Sequence, residues 1–241
     1  MVRQKNLSKR LQKLAEYIGT QDVVIDVGTD HAYLPIYLLK RGKCKSVIAS
    51  DMRDGPVESA KRNVEKYGLK DKIDIRKGYG LDVLTKNEAD VAVIAGMGGG
   101  TIQQILDSAD KKVLTGLKRL ILQPMNDEKI LRQWLIINGW CLIDEDLILE
   151  GDQIYTVIVV DQGEERLYDE LTLEIGPRLI EKNHPLLALL ISNLKEKYLA
   201  IAKGLKLSKN TKDTVELIRI KQKLEKIEEM FDKKCRCKTA K

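Results

Sequence analysis

The residues best placed to do chemistry follow directly on short apolar runs. Val23-Val24-Ile25-Asp26-Val27 leads into Gly28-Thr29-Asp30-His31-Ala32. A small-residue turn between a first strand and its helix is where α/β sheets bind nucleotide-like ligands. A dinucleotide would need glycine at three positions there, so that backbone can approach a pyrophosphate. The second of those positions holds Asp30 and the third holds Tyr33. Both would crowd a pyrophosphate, and the carboxylate would repel it. Asp26 and Asp30 suit instead a nucleoside ligand that carries positive charge, and S-adenosylmethionine (SAM), with its sulfonium and ammonium, is the common one. The next apolar run, Ser46 to Ser50, ends in Asp51. An acid at that strand end can accept hydrogen bonds from both ribose hydroxyls, or it can cap the following helix.

Later strand ends carry further candidates. Ile73-Asp74-Ile75 leads into Lys77-Gly78-Tyr79-Gly80-Leu81-Asp82, a loop able to meet the adenine of a cofactor. Val91 to Ile94 leads into Ala95-Gly96-Met97-Gly98-Gly99-Gly100-Thr101. So many glycines strip side chains from a strand end and would let a flat substrate or the methyl donor approach backbone. After Leu120-Ile121-Leu122 come Gln123 and Asn126, amides suited to hydrogen-bond a base edge. Asn126 has a second reading, as the N-cap of a helix starting near Asp127.

These turns need a scaffold. Short buried-type strands alternating with helical stretches, such as Pro56 to Tyr67 and Asp127 to Asn138, predict a parallel α/β sheet. Cys141–Leu149 and Ile154–Val160, joined by Glu150-Gly151-Asp152, predict a closing antiparallel hairpin. From Glu164 the pattern is helical only. Leu187, Leu190, Leu194, Tyr198, Ile201 and Leu205 form one stripe, and Leu217, Ile220, Leu224, Ile227 and Phe231 another, as in an antiparallel helical hairpin. Two domains are expected, 1–163 and 164–241. An amphipathic N-terminal helix sets Leu7, Leu11, Leu14 and Ile18 on one face, with Lys5, Lys9, Arg10 and Lys13 elsewhere.

Composition bounds the function. The chain has 241 residues, 43% hydrophobic and 32% charged, which is a globular balance rather than a disordered one. No apolar run is long enough for a membrane helix, and the basic N-terminus lacks the apolar core of a signal peptide. A cytoplasmic protein is expected. The four cysteines, Cys44, Cys141, Cys235 and Cys237, are too scattered for a disulfide framework, and Cys235-Arg236-Cys237 supplies only two metal ligands, so no metal is expected. The net charge is +6, with basic residues gathered at both ends; such ends suit a polyanion or are solvated tails.

The segments LSKRLQKLAEYI, DVGTDHAYLP, DGPVESAKRNVEKYGL, AGMGGGTI, RLILQP and GDQIYTVIVV, in that order through Val160, resemble the bacterial tRNA (adenine-N1)-methyltransferases acting on position 22, the TrmK family. The resemblance implies a class I Rossmann-like SAM-dependent methyltransferase domain with a C-terminal helical coiled-coil domain, and tRNA as partner; a monomer is expected. It implies transfer to adenine N1, whose in-plane lone pair needs no base, so catalysis would be mostly positioning. N1 lies on the Watson–Crick edge, so the base must be exposed. Tyr33 is the candidate to stack on it. Tyr33, His31, Asp30 and Met97 are assigned to the reacting centre. Asp26, Gly28, Thr29, Asp30, Asp51, Met52, Gly78, Tyr79, Gly80, Ala95, Gly96, Met97 and Gly98 are assigned to the cofactor. Lys9, Arg10, Tyr33, Gln123 and Asn126 are assigned to the RNA.

Several readings stay open at this point. His31 could bond the base or the cofactor carboxylate, or be structural. Where relatives carry Gly-Asp-Gly in the third-strand loop, this chain has Gly78-Tyr79-Gly80; either Tyr79 stacks, or backbone and Asp82 hold the adenine. The helical hairpin, with Lys195, Lys197, Lys203, Lys206 and Lys209, could grip tRNA, cover a sheet face or dimerise. The same fold could act on another substrate, or bind RNA without catalysis.

Overall fold

In the computed structural model, which describes residues 7–206 and 211–238, the chain alternates strands and helices as the apolar runs require. In chain order these are α1 (Lys9–Glu16), β1 (Val23–Val27), α2 (Tyr33–Lys40), β2 (Ser46–Asp51), α3 (Asp54–Lys66), β3 (Ile73–Lys77) and β4 (Val91–Met97). They continue with α4 (Gly99–Ser108), α5 (Lys111–Leu114), β5 (Arg119–Pro124), α6 (Glu128–Ile137), β6 (Trp140–Glu150) and β7 (Gln153–Gln162). Four helices follow: α7 (Glu170–Ile175), α8 (Pro177–Glu181), α9 (Leu187–Leu205) and α10 (Thr211–Lys238).

The strands form one seven-stranded sheet in the order β3-β2-β1-β4-β5-β7-β6. β1 to β5 pair in parallel, and β7 runs antiparallel to both β5 and β6, the closing hairpin expected from the sequence. Alternate residues of the β-branched strands face opposite layers. Ile25, Ile94, Leu122 and Ile158 pack on one face with Ile102 of α4 and Leu131 of α6. Val24, Val47, Val93 and Val159 pack on the other with Leu14 of α1 and Leu38 of α2. The strand order reverses beside β1, between β2 and β4. That places the loops after β1 and β4 at the crevice where open α/β sheets bind ligands.

The chain divides into two compact units, Met1–Lys182 and Asn183–Lys241, so the boundary falls after α8 rather than at Gly163. The physical reason is a buried ion pair. Arg132 of α6 and Glu145 of β6 are both fully buried, with Nε 2.5 Å from Oε1. Arg132 Nη1 donates to the Leu173 and Glu174 carbonyls of α7, and Glu145 Oε2 accepts from the Arg178 N–H of α8. This ties both short helices to the sheet unit. Periodicity alone reads them as part of the helical tail.

Within the second unit, α9 and α10 pair antiparallel, with Lys195 salt-bridged to Glu228 and Lys223 donating to the Tyr198 hydroxyl. On α9 the covered stripe runs through Leu187, Ile191, Tyr198 and Ala202, while Ile201 is exposed. Ile201 was expected to be inside; Ala202, one residue on, takes the close-packed position. Phe231, Cys235, Cys237, Lys209 and the basic C-terminal side chains lie outside the described residues.

Candidate functional site

The first turn is built from backbone. The N–H groups of Gly28 and Thr29 both donate to the Ser50 carbonyl, which locks the turn against the end of β2. Gly28 has φ +77°, a left-handed conformation that favours glycine, and a Cβ there would press on the flexible Met97 Cε, 2.4 Å away. Asp26 is buried beneath the turn and accepts the Thr29 hydroxyl at 2.6 Å. Burial pushes its carboxyl up from 3.8 to about 6, against the opposing effect of the Thr29 hydrogen bond. Asp30 and Ala32 both adopt positive φ, which turns the chain sharply into α2 and leaves the Asp30 carboxylate exposed.

Next to this turn lies a cavity of about 180 Å³. It is lined by Val27 and Gly28 of the first turn, by Ser50, Asp51, Met52 and Arg53 after β2, by Gly78-Tyr79-Gly80 after β3, and by Met97, Thr101 and Ile105. Asp51 is 6% exposed, and its Oδ1 accepts the Arg53 N–H at 2.9 Å, with Arg53 Nε at 3.3 Å. The Ser50 hydroxyl is buried with no hydrogen-bond partner among the described residues. A nearly buried carboxylate, an orphan hydroxyl and a turn that favours glycine suit a hydroxyl-rich, phosphate-free nucleoside. SAM fits this donor set.

Seven of the residues assigned to the cofactor from the sequence meet at this cavity: Gly28, Asp51, Met52, Gly78, Tyr79, Gly80 and Met97. Asp26 and Thr29 stand beneath the turn. Asp82 is exposed and outside the lining, so it does not take the place of an acid at Tyr79. Sequence reasoning missed Val27, Ser50, Arg53, Thr101 and Ile105. Ile105 follows Thr101 by four residues on α4, so helical spacing from the glycine run could have found it.

The glycine run does something other than bare the strand end. Gly96 makes a β-bulge between Ala95 and Met97, and bulges re-aim side chains beside sites. A Cβ at Gly99 would lie 2.7 Å from the Asn126 carbonyl oxygen, so this glycine allows α4 to start against the β5 loop. Gln123 and Asn126 change meaning accordingly. Gln123 is fully buried; its Oε1 accepts the Gly96 N–H freed by the bulge, and its Nε2 donates to the Pro124 carbonyl. It is committed to the strand end and does not meet a base edge. Asn126 Oδ1 accepts the Gly99 N–H at 3.3 Å, so it caps α4 rather than α6. Ala95 and Gly98 support this packing without lining the cavity.

On the open side, His31 and Tyr33 lie with ring centroids 5.1 Å apart, tilted by 34°. His31 Nδ1 is 2.5 Å from the Ser59 hydroxyl, and its Nε2 is 3.5 Å from Asp30 Oδ2. Arg10 stacks its guanidinium 4.7 Å over the Tyr155 ring and donates to Met125 Sδ, just past β5. Its helix is anchored by Tyr17, whose hydroxyl donates to Asp144 and Asp146. Burial and the two carboxylates push that phenol well up. Lys9, at the start of α1, is exposed.

The family model described as TrmK, tRNA (adenine(22)-N(1))-methyltransferase, matches residues 24–229. The chain belongs to the TrmK family. It is 47% identical over 171 residues to the tRNA (adenine(22)-N(1))-methyltransferase of Bacillus subtilis (strain 168), covering 70% of this chain and 71% of that one. The crystal structure of the B. subtilis m1A22 tRNA methyltransferase TrmK superposes with a TM-score of 0.86 at 35% identity, covering 93% and 98%. The structure of M. capricolum TrmK in complex with S-adenosyl-homocysteine superposes with a TM-score of 0.79 at 30% identity, covering 94% and 98%. Among the described residues no group of three or more His, Cys, Asp or Glu could hold a metal ion, and no helix is long and apolar enough to cross a membrane.

Proposed function

We propose that this chain methylates N1 of adenine 22 in tRNA, with SAM as the methyl donor. The observation that carries the reading is the nearly buried Asp51 beside the sealed first turn and the orphan Ser50 hydroxyl, in a TrmK-family chain. When bound, SAM supplies an electrophilic methyl group that the adenine N1 lone pair can attack without a base. Asp51 and Ser50 then hold the ribose. Asp26 and Asp30 favour the positive end of the ligand. Gly28 and Met97 shape the wall between cofactor and substrate. Tyr33, beside His31 on the open side, stacks on the exposed adenine, and Asp30 and His31 orient its edge. Lys9, Arg10 and the exposed lysines of α9 meet phosphates, which position the RNA without specifying it. We infer further that the chain acts in the cytoplasm and as a monomer.

The direct test is methyl transfer from labelled SAM to unmodified tRNA, read by primer extension. N1-methylation blocks the Watson–Crick edge, so a new stop at adenine 22 is expected. Label incorporated elsewhere would overturn the site, and no incorporation would overturn the reaction. In the same assay Tyr33→Ala should lower turnover by about 10- to 100-fold, from the loss of base stacking. SAM affinity should change less than threefold, roughly half a kcal/mol. Unchanged turnover would remove the stacking role.

Asp26 gives a pH signature. Its raised pKa means the folded protein holds an extra proton between pH 3.8 and about 6, so this group's stabilising contribution is lost as pH rises through that window. A positively charged ligand favours the carboxylate. SAM affinity should therefore fall by up to about tenfold per pH unit below the raised pKa and level off above it. Calorimetry in buffers of different ionisation enthalpy should show proton release near pH 5.5 in the native chain and none attributable to this group in Asp26→Asn. A flat profile would mean that Asp26 does not sense the ligand.

A further inference from the structure

Two contacts on His31 come from α3, a helix with no residue assigned to the site. Ser59 and Asn63 lie about one turn apart on the same face of α3. The Ser59 hydroxyl stands 2.5 Å from His31 Nδ1, and Asn63 Nδ2 donates to the His31 carbonyl at 3.0 Å. One helix therefore holds both the ring and the backbone of a residue 28 and 32 positions earlier in the chain. The helix is itself fixed, because Ala60 and Val64 are buried in the core with Val47 of β2 and Ile73 of β3.

The turn needs such a hold. Asp30 and Ala32, on either side of His31, have φ of 45° and 55°. Left-handed backbone is costly for a residue with a Cβ, persists only where its surroundings enforce it, and gathers at working sites.

The same contacts select the form of the imidazole. His31 Nε2 faces Asp30 Oδ2 at 3.5 Å. A carboxylate only accepts, so the nitrogen turned toward it carries the proton of the neutral ring. At that distance, beyond the roughly 2.7–3.2 Å of an N–H···O bond, the carboxylate biases the proton without consuming the donor. Nδ1 is then the acceptor, and the Ser59 hydroxyl donates to it. That hydroxyl has no other hydrogen-bond partner among the described residues. The His31 side chain is 40% exposed and lies beside Tyr33.

We propose that Ser59 is a positioning residue for methyl transfer: it locks His31 in the Nε2–H form, so that a neutral donor meets the adenine. This rests on the placing of the adenine against Tyr33 and His31. Adenine has ring acceptors at N3 and N7 besides the reacting N1. An Nε2–H donor can hold one of these and leave the N1 lone pair free. The other tautomer would turn a lone pair toward those acceptors and toward Asp30, and would hold neither. Ser59 acts through His31 and not on the base.

The imidazole nitrogens report the tautomer directly by NMR. The chain has two histidines, His31 and His184, and His31→Gln assigns their signals by loss. With isotope-labelled histidine in the full chain at about pH 8.5, above the usual imidazole range, His31 is expected in the Nε2–H form. Ser59→Ala keeps α3, because alanine is a good helix former, and should release the ring to a mixture of tautomers while the His184 signals stay unmoved. Methyl transfer to unmodified tRNA at saturating SAM should fall about 3- to 10-fold, the worth of one neutral hydrogen bond. S-adenosylhomocysteine affinity should change less than about twofold. Ser59→Thr keeps the hydroxyl and should restore the tautomer and, within about twofold, the rate. In the His31→Gln chain, adding Ser59→Ala should cost less than about twofold more. A native Nδ1–H form, unchanged transfer in Ser59→Ala, or a full loss that persists in the His31→Gln chain would overturn the proposal, the last by showing a merely structural role. If the native chain itself transferred no methyl, the failure would lie with the reaction, and the spectra alone would then uphold or overturn the Ser59 contact.

Discussion

Asp51→Ala should weaken SAM binding by about 100-fold or more. Asp51 is nearly buried at the end of β2, and its Oδ1 already serves the Arg53 N–H and guanidinium. A ribose placed in the cavity would donate two hydroxyls to a carboxylate held in place before binding. Hydrogen bonds to a charged group contribute roughly 1.5 to 3 kcal/mol each. Losing two costs about 3 to 6 kcal/mol, which is two to four powers of ten in Kd. Asp51→Asn keeps an acceptor for Arg53 and should lie between the two, which separates loss of charge from loss of the loop anchor. Calorimetric Kd values for the three proteins decide it, with circular dichroism to show that the fold persists. A Kd for Asp51→Ala within about threefold of the native value, some 0.6 kcal/mol, would remove the ribose assignment.

Arg132→Met should destabilise the sheet unit by about 3 to 5 kcal/mol, the usual cost of removing one partner from a buried pair. Glu145 would keep a buried carboxylate with only the Arg178 N–H facing Oε2, and the Leu173 and Glu174 carbonyls would lose their donor. The double substitution Arg132→Met with Glu145→Leu should recover more than half of that loss, because it leaves no uncompensated charge. Urea unfolding followed by far-UV circular dichroism measures both. If the single variant lost less than about 1 kcal/mol, in the range of exposed pairs, water would have to reach the pair and the two helices would not depend on it. A double variant no better than the single one would show that the lost α7 carbonyl contacts dominate.

Much of the fold was legible because its signals are local. β-branched runs bounded by small or polar residues read as strands, and all seven of them are strands. Their alternation with helical stretches, followed by one tight turn, was enough to read a parallel sheet closed by a hairpin. Helix ends were less legible. α3 starts at Asp54 rather than at Pro56, because proline, having no N–H to offer, fits within a first helical turn whose donors have no intrahelical partner. Tyr79 in the third-strand loop was legible as a departure, and the structure puts it on the cavity wall, with Asp82 exposed and outside the lining.

The sequence by itself determined the chemistry that the first turn excludes. Asp30 and Tyr33 at two of its glycine positions argue against a pyrophosphate, and Asp51 after the next strand adds the ribose partner. Only the tertiary structure decided which polar residues are spent on the scaffold. Gln123 fills the donor left by a bulge on a neighbouring strand, and Asn126 caps a helix that precedes it in the chain. Arg132 and Glu145 define where the sheet unit ends, and the two tryptophans share one cavity. Each of these depends on groups brought together from separate elements. A run of residues shows which hydrogen bonds a side chain can make, but only the packed sheet shows which ones are already taken.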